Sequence, residues 1–459
     1  MGFVGERVSV TGGGDLLDVA DRVVAQARDG EQLEAYVGRS TDTQVRVYQG
    51  EVEQLAVADS LGVGVRIVHE GRQGFAYCGT FDAGALAETV TEARDNAAFA
   101  EPDEAAGLPE PDGVEPAELD LWRPGLSEVP TDRKVALAIE LERALLAADP
   151  RITGVESCDY GDSLSEAAVV TTTGIRRTSR ATGCELVAYS LAGDGEETQT
   201  GFGFSLGRDF DELDVGAAAG DAADRALRLL GATQPPSERL TVVLDPWVTA
   251  QLIGIVAGTL GAEEVIKARS LFAGREGEQV AAPFVTLVED PTDARSWGAS
   301  PVDDEGLATR RVPLIEDGVL RGFVHSTWTG RRMGTPSTGS AVRGGFKSTP
   351  TAGCRAVTLT PGDRDAAALL ATIDDGVLVQ EVSGLHSGVN PVSGDFSTGA
   401  QGLRIRGGTL AEPLREFTIA STIQRLLLDL VAVGSDLTWL PMSAAGMTLV
   451  VGDVAVSGA

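Results

Sequence analysis

Two consecutive prolines, Pro235 and Pro236, divide this chain into segments with different hydrophobic patterns. A Pro-Pro pair offers no backbone N–H and fixes φ twice, so neither a helix nor a central strand can run through it. Before it, helix and strand signals alternate. After it, short apolar runs of strand length are separated by Gly, Asp and Pro turns. Such a chain is expected to fold as α+β in two parts: an N-terminal α/β domain over 1–235, with a mixed sheet and long helices, and a strand-rich domain over 236–459, with a curved or barrel-like sheet.

Within the first part, residues 16–27 place Leu17, Val19, Ala20, Val23, Val24 and Ala27 at helical spacing. Residues 34–47 and 51–57 read as strands around the turn Gln49-Gly50, 62–68 as a third strand and 74–78 as a fourth. Residues 83–100 form a helix behind the cap Asp82, and 133–148 form an amphipathic helix. The Pro- and acid-rich stretch 101–130 between them reads as an excursion over the surface. Two further strands, 169–172 and 184–191, precede an Ala-rich helix over 214–230. In the second part, 240–244 reads as a buried strand, 246–260 as a helix and 417–433 as one long helix. Short strands are expected at 285–288, 319–324, 356–359, 376–382, 447–451 and 454–456.

Charge and cysteine usage exclude several functions. The chain has 37 basic and 68 acidic side chains, a formal charge of −31. With no basic stripe to offset it, that charge repels a phosphate backbone, so direct nucleic-acid binding is not expected. No apolar run reaches the ~18–20 residues of a membrane span. The opening MGFVGERVSV lacks a charged region followed by an apolar one, so a cytoplasmic protein without membrane attachment is expected. Cys78, Cys158, Cys184 and Cys354 are far apart and form no CxxC pair, and His69, His325 and His386 stand singly. Neither a disulfide framework nor a helical histidine pair for a metal follows.

Four segments carry residue types suited to chemistry. Asp303-Asp304-Glu305-Gly306 suits a hard-cation site or an acid/base pair, or a solvated turn; the lack of ligand-type neighbours favours the turn. Gly334 to Ser340 with Arg343 is rich in small hydroxyl residues. Ser337 and Thr338 are candidates to bring backbone amides close to a substrate carboxylate, with Arg343 as charge partner; a plain surface loop is the alternative. Ser393 to Ala400 alternates small and polar residues, as suits a strand that another backbone approaches closely. Sheet packing or an extended peptide beside Asp395 and Ser397 both fit that pattern. His325 and His386 each precede a serine, but no GxSxG elbow accompanies them.

Several stretches recur together: GVGVRIVHEGRQGFAY from Gly62 to Tyr77 with the helix at 83–100, Val243-Leu244-Asp245-Pro246, and Ser270-Leu271-Phe272 with Gly277-Glu278. They continue with Val302-Asp303-Asp304-Glu305-Gly306, Ile315-Glu316-Asp317-Gly318-Val319-Leu320, Ser337-Thr338-Gly339-Ser340, Leu359-Thr360-Pro361-Gly362 and Ser393-Gly394-Asp395-Phe396-Ser397. In order and spacing, over nearly the whole chain, they resemble the TldD/PmbA family, once described as modulators of DNA gyrase and associated with metallopeptidase activity. The resemblance implies two subunit types that pair as a heterodimer. The TldD type carries a zinc-binding His-Glu-x-x-x-His helix and a further ligand near the C-terminus; the TldE type lacks them. In this chain the three motif positions are Ile253, Gly254 and Gly258, and 440–459 contain no Cys or His. None of those side chains can coordinate a metal or act as a base.

The resemblance therefore implies a TldE-like, non-catalytic subunit with no cofactor of its own. It implies a zinc-bearing TldD-type partner and an extended peptide substrate, in general proteolysis or in natural-product tailoring. Two other readings stay open: a homodimeric scaffold of the same fold, or a metal-independent enzyme using Asp303, Asp304 or Glu305 with His325 or His386.

Overall fold

The structure, a computed structural model, describes residues 15–458; the opening ten residues, read above for a leader, lie outside the described residues. The N-terminal half is built on one long hairpin. β1 (Gln32–Tyr48) and β2 (Glu51–His69) pair over almost their whole lengths, and Gln49 and Gly50 close the turn with positive φ of 55° and 74°. β3 (Arg72–Cys78) joins one side, and β4 (Ile152–Thr171), β5 (Arg176–Ala192) and β6 (Gln199–Gly207) join the other, giving the order β3-β2-β1-β4-β5-β6.

Strand alternation decides which face the helices cover. Leu33, Ala35 and Val37 of β1 pack under α1 (Leu16–Val24) and α2 (Ala83–Phe99). Val45 and Val47 pack under α3 (Thr131–Ala148) and α4 (Val215–Leu227). The even-numbered Tyr36, Gly38 and Ser40 point to the opposite face, where Tyr36 meets Leu307 and Phe346 of the C-terminal half.

Two expectations change here. The strands expected at 51–57 and 62–68 are one continuous β2, because Gly62 does not break it. A Cβ at that position would stand 2.3 Å from the Phe346 ring, so the glycine admits a neighbour instead of a turn. The stretch 101–130 contains only a short 3-10 turn, Pro124–Glu128, yet it buries Leu108, Leu121 and Leu126. It is a strap: the Thr182 amide donates to the Leu121 carbonyl, and the Leu108 amide donates to the Gln32 side chain.

The C-terminal half centres on a closed five-stranded barrel. β7 (Glu238–Leu244), β14 (Asp375–Ser383), β15 (Asp395–Arg406), β16 (Thr409–Thr422) and β18 (Leu449–Ser457) pair in the order β16-β15-β14-β7-β18, and β18 pairs again with β16. β7 and β14 run parallel; the other barrel pairs are antiparallel. β17 (Leu430–Val433) pairs with β18 outside the closure. A smaller sheet holds β8 (Leu287–Glu289), β9 (Val312–Glu316), β10 (Val319–Leu320) and β13 (Val357–Leu359), and β11 (Ala341–Val342) pairs with β12 (Thr351–Ala352). The largest core unites Leu240, Val242 and Leu244 of β7 and Val377 and Val379 of β14 with Val248, Leu252, Ile253 and Val256 of α5 (Pro246–Thr259).

The helix expected over 417–433 is replaced by the end of β16, the six-residue α10 (Ile423–Leu428) and β17. Phe417 and Ile419 are buried with period two, and β-branched Thr418 and Thr422 suit a strand. This stretch also makes the closing pairs of the barrel, Thr418 with Ser457 and Ala420 with Ala455. The two strands expected at 447–456 are one β18 carrying a bulge between Val451 and Val454.

Candidate functional site

The helix that carries the expected metal-motif positions is well formed. Asp245 caps α5, its carboxylate accepting from the Val248 amide at 2.8 Å, and Pro246 occupies the first turn, where no N–H is needed. Ile253 is fully buried in the core. Gly254 and Gly258 lie one turn apart on the open face of the helix, where an added Cβ would meet no atom within 4 Å. Among the described residues, no three or more His, Cys, Asp or Glu side chains are grouped to hold a metal ion. The helix has room for metal ligands and does not carry them.

Polar and aromatic contacts fix α5 to the N-terminal half. Arg225 of α4 pairs with Asp245 at 2.8 Å and lies over the Phe202 ring. Trp247 packs on Phe202 and Phe204 of β6, with centroids 4.7 and 5.5 Å away. Burial pushes the Asp245 carboxyl up to about 6 despite the Arg225 guanidinium.

The carboxylates of Asp303-Asp304-Glu305 are not a solvated turn. Asp303 and Glu305 are each 1% exposed and belong to a buried charge cluster that joins the two halves. Arg66 of β2 bonds Glu34 of β1, its cross-strand neighbour, at 2.6 Å and Glu305 at 3.0 Å. Arg343 bonds Glu34 at 2.9 Å and the Asp304 carbonyl at 2.5 Å, and its guanidinium lies over the Tyr36 ring. Arg355 pairs with Asp304 at 3.1 Å.

Three guanidiniums thus face four carboxyl groups, and Asp303 is the odd one. Burial and the neighbouring Glu305 push its carboxyl up to about 7, although it accepts from the Leu307 and Ala341 amides. Glu289, which accepts from the Arg355 and Ala356 amides, is likewise pushed up to about 7 by burial. Glu34 goes the other way: burial opposes its charge, but Arg343 and Arg66 outweigh that and hold the carboxyl below its usual range.

The two expected substrate segments belong to separate elements, Ser337 and Thr338 to the loop before β11 and Asp395 and Ser397 to β15, and no hydrogen bond joins them among the described residues. Ser337 and Thr338 wrap the His325 backbone: the Ser337 hydroxyl and the Thr338 amide both donate to the His325 carbonyl, at 3.0 and 3.1 Å. The loop also lines a groove of about 440 Å³ with Pro109, Leu307 and Arg310. Arg343, expected as a charge partner for substrate, has a side chain only 1% exposed and already committed to Glu34 and Asp304. Asp395 and Ser397 are exposed at the start of β15, where the Ser393 hydroxyl donates to Asp395 at 2.7 Å.

His325 is 7% exposed, and burial lowers its pKa against the pull of Glu276. His386 is exposed in α9 (Leu385–Gly388). Neither histidine is hydrogen-bonded to a carboxylate among the described residues, so no acid/base pair with Asp303, Asp304 or Glu305 is assembled. Sequence reasoning did not single out Glu34, Arg66, Arg355 or Glu289. The available signal was charge at inward-facing strand positions, such as Arg66 within GVGVRIV.

Three consecutive segments match one family. Residues 33–97 match PmbA/TldA metallopeptidase domain 1, 124–230 its central domain and 237–458 its C-terminal domain. The metalloprotease PmbA of Escherichia coli O157:H7 is 27% identical over 407 residues, covering 88% of this chain and 87% of that one. A metalloprotease TldD homolog of Haemophilus influenzae is 25% identical over 425 residues, covering 88% and 85%. A Thermotoga maritima protein described as a modulator of a DNA gyrase superposes with a TM-score of 0.88 at 25% identity, covering 96% of this chain and 99% of that one. TldE of Thermococcus kodakarensis shares the fold, with a TM-score of 0.86 at 24% identity and the same coverage. With three domains matched in order and a barrel joined to a helix-covered sheet, the chain belongs to the PmbA/TldD metallopeptidase family.

Proposed function

We propose that this chain is the non-catalytic, TldE-like subunit of a cytoplasmic TldD/TldE zinc metallopeptidase that cleaves unfolded or short peptides, and that it completes the substrate chamber. The observation that carries this reading is α5. Its motif positions hold a buried isoleucine and two glycines with open space above them, so the family's helix is retained while its donor atoms are gone. Zinc and the catalytic base then belong to a TldD-type partner. The family's metalloprotease names support peptide hydrolysis by such a pair, and a charge of −31 supports no contact with DNA.

In this proposal the chain acts in two units, 1–235 and 236–459, held together by the buried charges and by Trp247. Ser337 and Thr338 on one loop and Asp395 and Ser397 on β15 face the chamber, where a peptide lies extended as an added strand. Arg343 serves by holding its loop to the N-terminal sheet rather than by touching substrate.

The test is reconstitution with the TldD-type subunit of the same genome. Hydrolysis of an unstructured peptide should require both chains and stop with a zinc chelator. Ser337→Ala and Asp395→Ala should slow it severalfold while the complex still assembles. Chelator-insensitive turnover by this chain alone would refute the proposal.

A further inference from the structure

The outer edge of β2 has no neighbour along most of its length. The strand is 19 residues long, but β3 pairs only with its last part, Val63 to His69. From Glu51 to Leu61 it pairs with β1 on one side, and no backbone group on the other side is hydrogen-bonded among the described residues. At about 3.3 Å per residue, this open edge is roughly 35 Å long. Such an edge is a template for pairing with another chain, and proteins blunt it with lysine, proline or a covering element. Residues 51–61 contain neither lysine nor proline.

The side chains along this edge are those of an interface. In the register of the hairpin, Leu55 stands opposite Val45 and Val57 opposite Thr43, so each pair shares a face of the sheet. Val45 and Thr43 are buried, whereas Leu55 is 48% and Val57 60% exposed. The helix layer thus covers β1 here and leaves the adjacent residues of β2 bare. Strand alternation puts Glu51, Glu53 and Asp59 on that same face, at the two ends of the apolar pair.

Charge decides what can pair there. Two copies of this chain, paired antiparallel about Ala56, would set Glu53 opposite Asp59; paired about Leu55, they would set Glu51 opposite Asp59. Symmetry repeats each clash, and like charges directly opposite destabilise a ladder. With −31 on each chain, the approach itself is opposed. Residues 51–61 hold no arginine either, so a strand with Lys or Arg flanking apolar residues complements both the ends and the centre of the edge.

We propose that the edge from Glu51 to Leu61 docks a basic, apolar-centred strand of the TldD-type subunit, joining the two subunits through one continuous sheet. That the occupant is this subunit rests on the proposed function; the open edge, its bare apolar centre and its acidic ends do not.

The test uses the full chain with the TldD-type subunit of its genome. Hydrogen exchange followed by mass spectrometry should show the outward amides of 51–61 exchanging freely in the isolated chain and slowed about tenfold or more in the complex. Assembly is measured in parallel by sedimentation. Leu55→Lys and Val57→Lys should each weaken it about tenfold, the cost of leaving half a side chain's apolar surface unburied. Thermal unfolding should not change, because both side chains are exposed. Glu53→Lys should weaken assembly at low salt and less at high salt. Val431→Lys, equally exposed but on β17, should assemble as wild type.

A complex in which 51–61 still exchange freely, lysine variants that assemble as wild type, or an equal loss for Val431→Lys would overturn the assignment. So would protection of the edge by self-association of this chain, or by an unstructured peptide in place of the subunit. A wild-type chain that forms no complex refutes the proposed function and this assignment with it; a complex that assembles with the edge unprotected refutes the assignment alone.

Discussion

Glu34→Gln is the sharpest probe of how the two halves are held. Glu34 is fully buried and bonds Arg66 at 2.6 Å and Arg343 at 2.9 Å, so one substitution neutralises a charge shared by two guanidiniums. Arg343 is left with the Asp304 carbonyl, and Arg66 with Glu305 alone. Breaking a buried pair by removing one partner costs about 3–5 kcal/mol, because the remaining charge stays desolvated. The amide keeps some hydrogen bonding, so about 3 kcal/mol is expected here. An exposed pair such as Arg46 with Asp159, whose side chains are 47% and 25% exposed, is worth less than about 1 kcal/mol and serves as control through Arg46→Gln. Urea unfolding followed by circular dichroism reads both, provided the slope stays at the wild-type value. A loss below about 1 kcal/mol for Glu34→Gln would mean that water or relaxation replaces the carboxylate, and the view of the cluster as a lock between halves would be wrong.

Two further outcomes follow from the same geometry. The folded-state pKa of Glu289 is raised, so its contribution to stability is full below the unfolded pKa of about 4.3 and is lost as pH rises through about 7. Wild type should therefore lose roughly 2–3 kcal/mol relative to Glu289→Gln between pH 5 and 7.5, and parallel urea midpoints at the two pH values would contradict that. Gly254→Ala adds a methyl that meets no atom within 4 Å inside a helix, so unfolding should become about 0.5–1 kcal/mol harder; a destabilised variant would show that the face is not open.

The sequence and the structure part company where distant residues decide a local outcome. The hairpin turn at Gln49-Gly50 and the cap at Asp82 are local, and both are legible. The strand expected to begin at Gly62 is the continuation of β2, and the residue that needs the space at Gly62 and Gly64, Phe346 with its ring at the first and its carbonyl at the second, is nearly three hundred positions away. The run 417–433 has enough apolar residues for a helix; barrel closure against β18 makes its first third a strand. The acidic triplet at 303–305 looks solvated because its counter-ions Arg66 and Arg355 come from far along the chain. At α5 the informative signal was negative, a helix keeping its frame without donor side chains, and it became readable only beside the family resemblance.

The most direct measurement is native mass spectrometry, with metal analysis, of this chain co-expressed with the His-Glu-x-x-x-His subunit of its genome. A one-to-one complex carrying a single zinc is expected, with this chain metal-free when isolated. A homodimer that ignores the other subunit, or zinc retained by this chain alone, would contradict it.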